Sequence, residues 1–313
     1  MPLGILHQRS SACIGDWNIS EGVLSLATDS MRIVEQEIPE IVIEPTRGLA
    51  SLQLGALWEY RELLYFLVWR DIKVRYKQTA LGVAWIVLQP VVSMIVFSFL
   101  FGGLLKVPSG DVPYPIFAYA ALLPWNYFAS SLNRSSTSLV GSAHLITKVY
   151  FPRLVIPLSG VLSGLVDFAI AFLVLIGLMV YYHIEPTANV VFLPGFMLLA
   201  MLTALGFGLW LSSLNVRYRD INYLIPYIVQ IWMYVTPVIY GSTLIPERFR
   251  WLMSLNPMTG VVEGFRWALL GPYLAEAHPP QTLFFAAIAI ALVVLVSGMV
   301  FFRNTERTFA DVV

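Results

Sequence analysis

Cysteine, histidine and charge are all scarce in this chain, and each scarcity removes a class of function. One cysteine, Cys13, excludes an internal disulfide and leaves no second thiolate for a metal site. The four histidines, His7, His144, His183 and His278, are scattered without metal-ligand spacing, so no resident metal is expected. No G-x-x-x-x-G-K-[ST] phosphate loop occurs, which excludes ATP hydrolysis by that route in this chain. Asp167 is the only acid deep within an apolar run, whereas ion-coupled carriers keep several such groups. Membrane-embedded transferases show paired acids or an interfacial histidine, and no such pair is present. Residues 1 to 50 lack the early apolar run of a signal peptide, so the first segment is expected to stay in the cytosol.

Charged residues make up 12% of the 313, where a soluble domain carries about 25%. In their place stand 58% hydrophobic residues and a mean hydropathy of +0.74. Runs of about 20 apolar residues suit membrane crossing. They fall at about 82–105, 114–139, 156–182, 190–213, 222–240 and 282–302. Pro90 is expected to kink the first, and the second loses hydrophobicity through "NRSSTS".

Six spans put both ends of the spanning region on one side. Arg61, Arg70, Lys73, Arg75 and Lys77 precede the first span, and Arg134, Lys148 and Arg153 follow the second. Arg217 and Arg219 follow the fourth, and Arg303 and Arg307 the sixth. Only Lys106, Arg248, Arg250 and Arg266 oppose them, so both ends are expected in the cytosol. The expected organisation is an extension over 1–40, a cytosolic amphipathic region over 41–80, and an all-α six-span domain over 81–313. No internal repeat is visible.

Three segments are neither span nor ordinary loop. In "LLYFLVWRDIKVRYKQTALG", residues 63 to 82, helical spacing puts Tyr65, Val68, Trp69, Ile72 and Tyr76 on one face. Arg70, Lys73 and Lys77 share a stripe roughly 100° away. An apolar-aromatic face beside a basic one describes a helix lying in the lipid headgroups. A bare topology signal would need the charges but not the rings. The second segment, "GSAHLITKVYFPRLVIP", offers Lys148, Tyr150, Phe151 and Arg153 between helix breakers. An exposed Tyr-Phe pair can dock another protein or sit in an aromatic belt, and residue chemistry leaves both open.

The third, residues 241 to 272, is too broken for a span and too apolar for a free loop. Asn256-Pro257 reads as an N-cap and first-turn proline, opening a helix that ends near Gly271. Within it, Glu263 and Arg266 are spaced to pair. A half-inserted helix there can serve as a gate or as a rigid cap. Asp167 either faces a lumen or bonds a neighbouring helix. Trp85, Trp125, Tyr127, Phe128, Trp232 and Tyr234 offer planes that suit sugar rings, though lipid-facing belts use the same residues.

Taken in order, "YRELLYFLVWRDIKVRYKQTALGVAWIVLQP", "LITKVYFPRLVIPL", "NVRYRDINY" and "LNPMTGVVEGFRWALLG" resemble the membrane subunit of bacterial ABC polysaccharide exporters. These are the type-two permeases that move O-antigen, capsule or teichoic-acid chains. The resemblance covers about residues 41 to 303. It implies a homodimer of six-span permeases in the bacterial cytoplasmic (inner) membrane, exporting a lipid-linked glycan. ATP and magnesium would be held by two separate ATP-binding subunits, so this chain is a transport subunit with no cofactor of its own. No nucleic-acid partner is implied.

The resemblance places residues 56–77 at a cytosolic gate, with Tyr65, Trp69, Arg70, Lys73, Tyr76 and Lys77 meeting headgroups. It places 142–153 against the ATPase, with His144, Lys148, Tyr150, Phe151 and Arg153 in the coupling segment. It makes 244–271 the external gate, with Glu263 and Arg266, and lines the channel with Trp125, Tyr127, Phe128, Trp232 and Tyr234. A related permease for a drug or small lipid is the alternative.

Overall fold

The computed structural model describes residues 54–77, 82–274 and 281–312, and expectations for residues 1–40 lie outside them. Among the described residues the chain is helical, with no strand. Two helices come before the first apolar run, α1 (Leu54–Glu59) and α2 (Arg61–Lys77). Then follow α3 (Gly82–Phe97), α4 (Tyr114–Gly141), the short α5 (Ala143–Lys148), α6 (Val155–Tyr181) and α7 (Leu193–Arg217). The last four are α8 (Ile221–Val235), α9 (Glu247–Ser254), α10 (Pro257–Leu270) and α11 (Gln281–Val312).

Four of the helical stretches are long and apolar enough to cross a membrane: Ala84–Leu104, Val155–Tyr181, Ala188–Arg217 and Leu283–Glu306. Pro90 lies within α3 without ending it, and the helix loosens instead into a π-helical stretch at Ser98–Leu104. The remaining two expected spans differ, each for a physical reason. With 28 residues α4 is long enough, at about 1.5 Å per residue, but rings, serines and Arg134 dilute its hydropathy. It is also the most enclosed of the long helices, packed on α3, α6, α7 and α10. Ile116, Tyr119, Phe128, Leu132, Ser131 and Ser135 on it are fully buried. A helix surrounded by protein can carry polar groups that a lipid-facing one cannot.

The expected span at 222–240 is only 15 helical residues, because α8 stops at Val235. Pro237 has no N–H to continue the ladder and turns the residue before it away from the helical region. Thr236 is accordingly extended, with φ −85° and ψ 140°. The chain from 236 to 239 is nonetheless buried, so its carbonyls need partners within the protein.

Hydrogen bonds show how the helices run. Tyr119 reaches the Ala171 carbonyl and Tyr127 the Val161 carbonyl, so α4 and α6 are antiparallel. Helices α7 and α11 run the same way, with Gly206 against Leu295 and Trp210 stacked on Phe301 at 4.2 Å. Their backbones touch at the crossing: a Cβ on Gly206 would lie 2.9 Å from the Leu295 nitrogen. Small residues allow such an approach between apolar helices, where packing replaces the hydrophobic drive. A side chain at 206 would force the pair apart at about 1–3 kcal/mol. Gly206→Val is therefore expected to lower the thermal unfolding midpoint in detergent. Gly177→Ala, at a position with open space around it, should leave the midpoint unchanged or slightly raised.

Candidate functional site

Asp167 lies mid-way along the apolar α6, where an isolated charge would be expensive. It is not isolated. Arg134 of α4 donates Nη1 to its Oδ2 at 2.9 Å, and Arg75 of α2 donates to the same oxygen. Tyr76 of α2 donates its hydroxyl to Oδ1 at 2.6 Å. Arg134 also reaches the Gly160 carbonyl and Ser130 Oγ, which fixes its fork. Burial first, and then the bonded carboxylate, push the Tyr76 phenol above its usual value, so it stays a proton donor. The result is a part-buried knot of two guanidiniums and one carboxylate that ties α2 to α4 and α6.

Beside the knot lies a surface cavity of about 490 Å³ between α3, α4, α6 and α8. Gln89, Asn126, Ser130, Asn133 and Gln230 supply neutral hydrogen-bonding groups, and Trp125, Tyr127 and Phe168 supply ring surface. Asp167 is the one acid at its wall, and its charge is already engaged. The size suits a small-molecule or chain segment. Amides and hydroxyls beside aromatic faces suit a neutral, polyhydroxylated ligand better than an ion. No group of acidic, histidine or cysteine side chains suited to a metal occurs among the described residues.

The expected channel aromatics separate. Trp125 and Tyr127 line this cavity. Phe128 is fully buried and packs edge-on against Trp232 at 5.0 Å. Trp232 in turn donates to Asn256 Oδ1, so both rings serve packing within the chain. Tyr234 is 54% exposed on α8 and is not among the residues that line the cavity.

The headgroup set also separates. Tyr65, Phe66 and Trp69 are exposed, as are Lys73 and Lys77, and Arg70 is paired with Asp71 at 2.9 Å. Tyr76 departs from the expected face, because its hydroxyl is drawn inward to Asp167. In the segment 142–153, His144, Lys148 and Tyr150 are exposed, Tyr150 by 79%. Phe151 is only 5% exposed, so the expected exposed Tyr-Phe pair is split between outside and inside. Arg153 donates to the backbone carbonyl of Glu306.

At the far end, Asn256 caps α10 as its sequence suggested, accepting from the Met258 N–H at 3.1 Å. Its amide also donates to Thr236, which holds the broken end of α8 against the start of α10. Arg266 pairs with Glu263 at 3.4 Å, but most of its donors go elsewhere. Being fully buried, it gives Nη1 to Pro237 O at 2.6 Å and Tyr240 O at 3.0 Å, and Nη2 to Val238 O at 2.6 Å. Its guanidinium stacks over Phe117, 3.8 Å from the ring centre. Arg266 is thus the partner that the unwound carbonyls after α8 require. Glu263 accepts the Ser242 N–H from the same loop.

Residue chemistry missed the grouping of Arg75, Arg134 and Asp167. Arg134 reads as one more loop cation and Asp167 as a lone acid, although an acid inside an apolar helix signals that a cation must be near. Nothing in the spacing says which one, since the partners lie 92 and 33 residues away.

Residues 62–270 match the family model for ABC-2 type transporters. The O-antigen export system permease protein RfbA of Myxococcus xanthus is 31% identical over 258 residues, covering 82% of this chain and 96% of that protein. Its namesake from Klebsiella pneumoniae is 30% identical over 261 residues, covering 83% and 96%. The polysialic acid transport protein KpsM of Escherichia coli is 25% identical over 244 residues, covering 76% and 91%. With the family model spanning most of its length and the relatives aligned almost end to end, the chain belongs to the ABC-2 type transporter family.

Proposed function

We propose that this chain is the permease subunit of an ATP-driven exporter that moves a polysaccharide, carried on a lipid, across the bacterial inner membrane. The observation that carries this reading is the cavity beside α4. Its wall offers rings and neutral hydrogen-bonding groups, and its one carboxylate is already held by Arg75 and Arg134. Sugar rings can lie against such a wall without being trapped, because many weak contacts leave a polymer free to slide. The names of the relatives point to the same class of cargo.

In this reading the chain crosses the membrane six times, with α8 and the unwound stretch after it completing the fifth crossing. The α2 end of the bundle faces the cytosol, and two copies enclose the path. Two ATP-binding subunits, holding ATP and magnesium, dock against segment 142–153. Helix α2 lies in the cytosolic headgroups through Tyr65, Trp69, Arg70, Lys73 and Lys77. Anionic lipid contributes about 1 kcal/mol per basic residue near the surface. Helices α9 and α10 form the external mouth, held in shape by Arg266 and Glu263.

The direct test is reconstitution of the chain with its ATP-binding partner in vesicles. The expected result is ATP-dependent appearance of lipid-linked glycan on the far side, and ATP turnover without glycan movement would sink the reading. Reversing the exposed charges with Lys73→Glu and Lys77→Glu together should impair export while complex assembly survives. Untouched export would reduce the stripe to a topology signal. Asp167→Asn keeps the shape of the knot but leaves two guanidiniums facing each other, a loss of about 1–3 kcal/mol in the docking of α2. Glycan moved per ATP is then expected to fall about tenfold, read as the ratio of export to phosphate release. An unchanged ratio would show that the knot has no part in coupling.

A further inference from the structure

The α2 end of the bundle has a hydrophobic cluster of its own, separate from the one around α4. It joins Leu67 of α2, Ile146 of α5, Phe151 of the following bend, Leu139 of α4, and Phe302 and Phe309 of α11. Helix α11 reaches this cluster because it is long. Its 32 residues measure roughly 48 Å at 1.5 Å each, well beyond the ~30 Å of a hydrocarbon core. On the overhang Phe309 is fully buried and packs edge-on to Phe302 at 5.3 Å. Arg153 links the two elements twice, with its guanidinium 5.9 Å from the Phe309 ring centre and a hydrogen bond to the Glu306 carbonyl. Arg303 braces the same turn, donating to the Glu306 carboxylate at 2.5 Å.

We propose that this overhang is a brace through which segment 142–153 moves α2, with Phe309 and Arg153 as positioning residues. The proposal rests on the reading of that segment as the docking site for the ATP-binding subunit. Within the split Tyr-Phe pair, Tyr150 is the face offered to that subunit, and Phe151 is the anchor into the brace. Close-packed clusters have low compressibility, so a push on one wall is passed to the others. A push arriving at Tyr150 therefore reaches Leu67 and α2 through Phe151, Phe309 and Phe302, instead of being absorbed in a loose loop.

The test uses the complete complex of permease and ATP-binding subunit in nanodiscs. Tyr150→Ala should weaken binding of that subunit about tenfold, as the loss of one exposed aromatic anchor. Phe309→Ala should keep the subunit bound and ATP turnover running, while glycan moved per ATP falls several-fold. Phe309→Leu, which restores apolar volume, should rescue the ratio. A second readout needs no glycan: spin labels at Lys73→Cys and His144→Cys, in a Cys13→Ser background, report the distance from α2 to α5. In the parent complex this distance should stay constant on ATP binding, and in Phe309→Ala it should change with ATP.

Full binding by Tyr150→Ala would overturn the docking reading on which the brace depends. If docking holds but Phe309→Ala leaves both the transport ratio and the label distance as in the parent, the brace itself is wrong. Loss of the ATP-binding subunit from Phe309→Ala would likewise overturn it, since the residue would then serve docking.

Discussion

Two arginines from different helices close on one carboxylate, and much of the bundle follows from that contact. Asp167 occupies an apolar helix where little of it is exposed, and the protein supplies Arg134 from α4 and Arg75 from α2 as its partners. Burying an acid in this position is costly unless paired and hydrogen-bonded. Satisfying it brings together three helices that are distant in the chain. It holds α2 against the bundle and keeps the charge from dominating the adjacent cavity.

The same requirement governs the other end of the molecule. Helix α8 breaks at Thr236-Pro237, and the unwound carbonyls stay buried. Arg266 answers three of them and a carbonyl at the start of α4 as well. Asn256 ties the broken helix to α10 through three hydrogen bonds. A broken helix is tolerated at this depth because α10 and α4 enclose it. That enclosure also lets α4 be the least apolar of the long helices while sitting at the centre.

These constraints leave a cavity wall that is polar without being charged. With its acid engaged, the cavity presents amides, a hydroxyl and rings. The two faces of α2 carry different residues. Exposed rings and lysines of α2 face outward, and Tyr76 and Arg75 of the same helix face in. A helix only 17 residues long therefore packs on the bundle with one side and leaves the other exposed.

Much of the fold was legible in the amino-acid sequence because membrane crossing demands long apolar runs, and lipid permits little else. The helix at 257–270, its Asn256 cap and the Glu263–Arg266 pair were also legible, since caps and i,i+3 pairs depend on neighbours in the chain. Three features were not. The early end of α8 needed the buried donor, Arg266, that makes a broken helix tolerable. The inward turn of Tyr76 and Phe151 needed a distant acid and a distant C-terminal helix. The pairing of Asp167 with Arg75 and Arg134 needed all three helices in place. Apolar length and local spacing, which the chain carries in itself, determined that it is a multi-pass helical membrane protein. Which buried charge meets which, and so which face of each aromatic helix looks inward, only the tertiary structure decided, because a desolvated group takes its partner from whatever packing brings near.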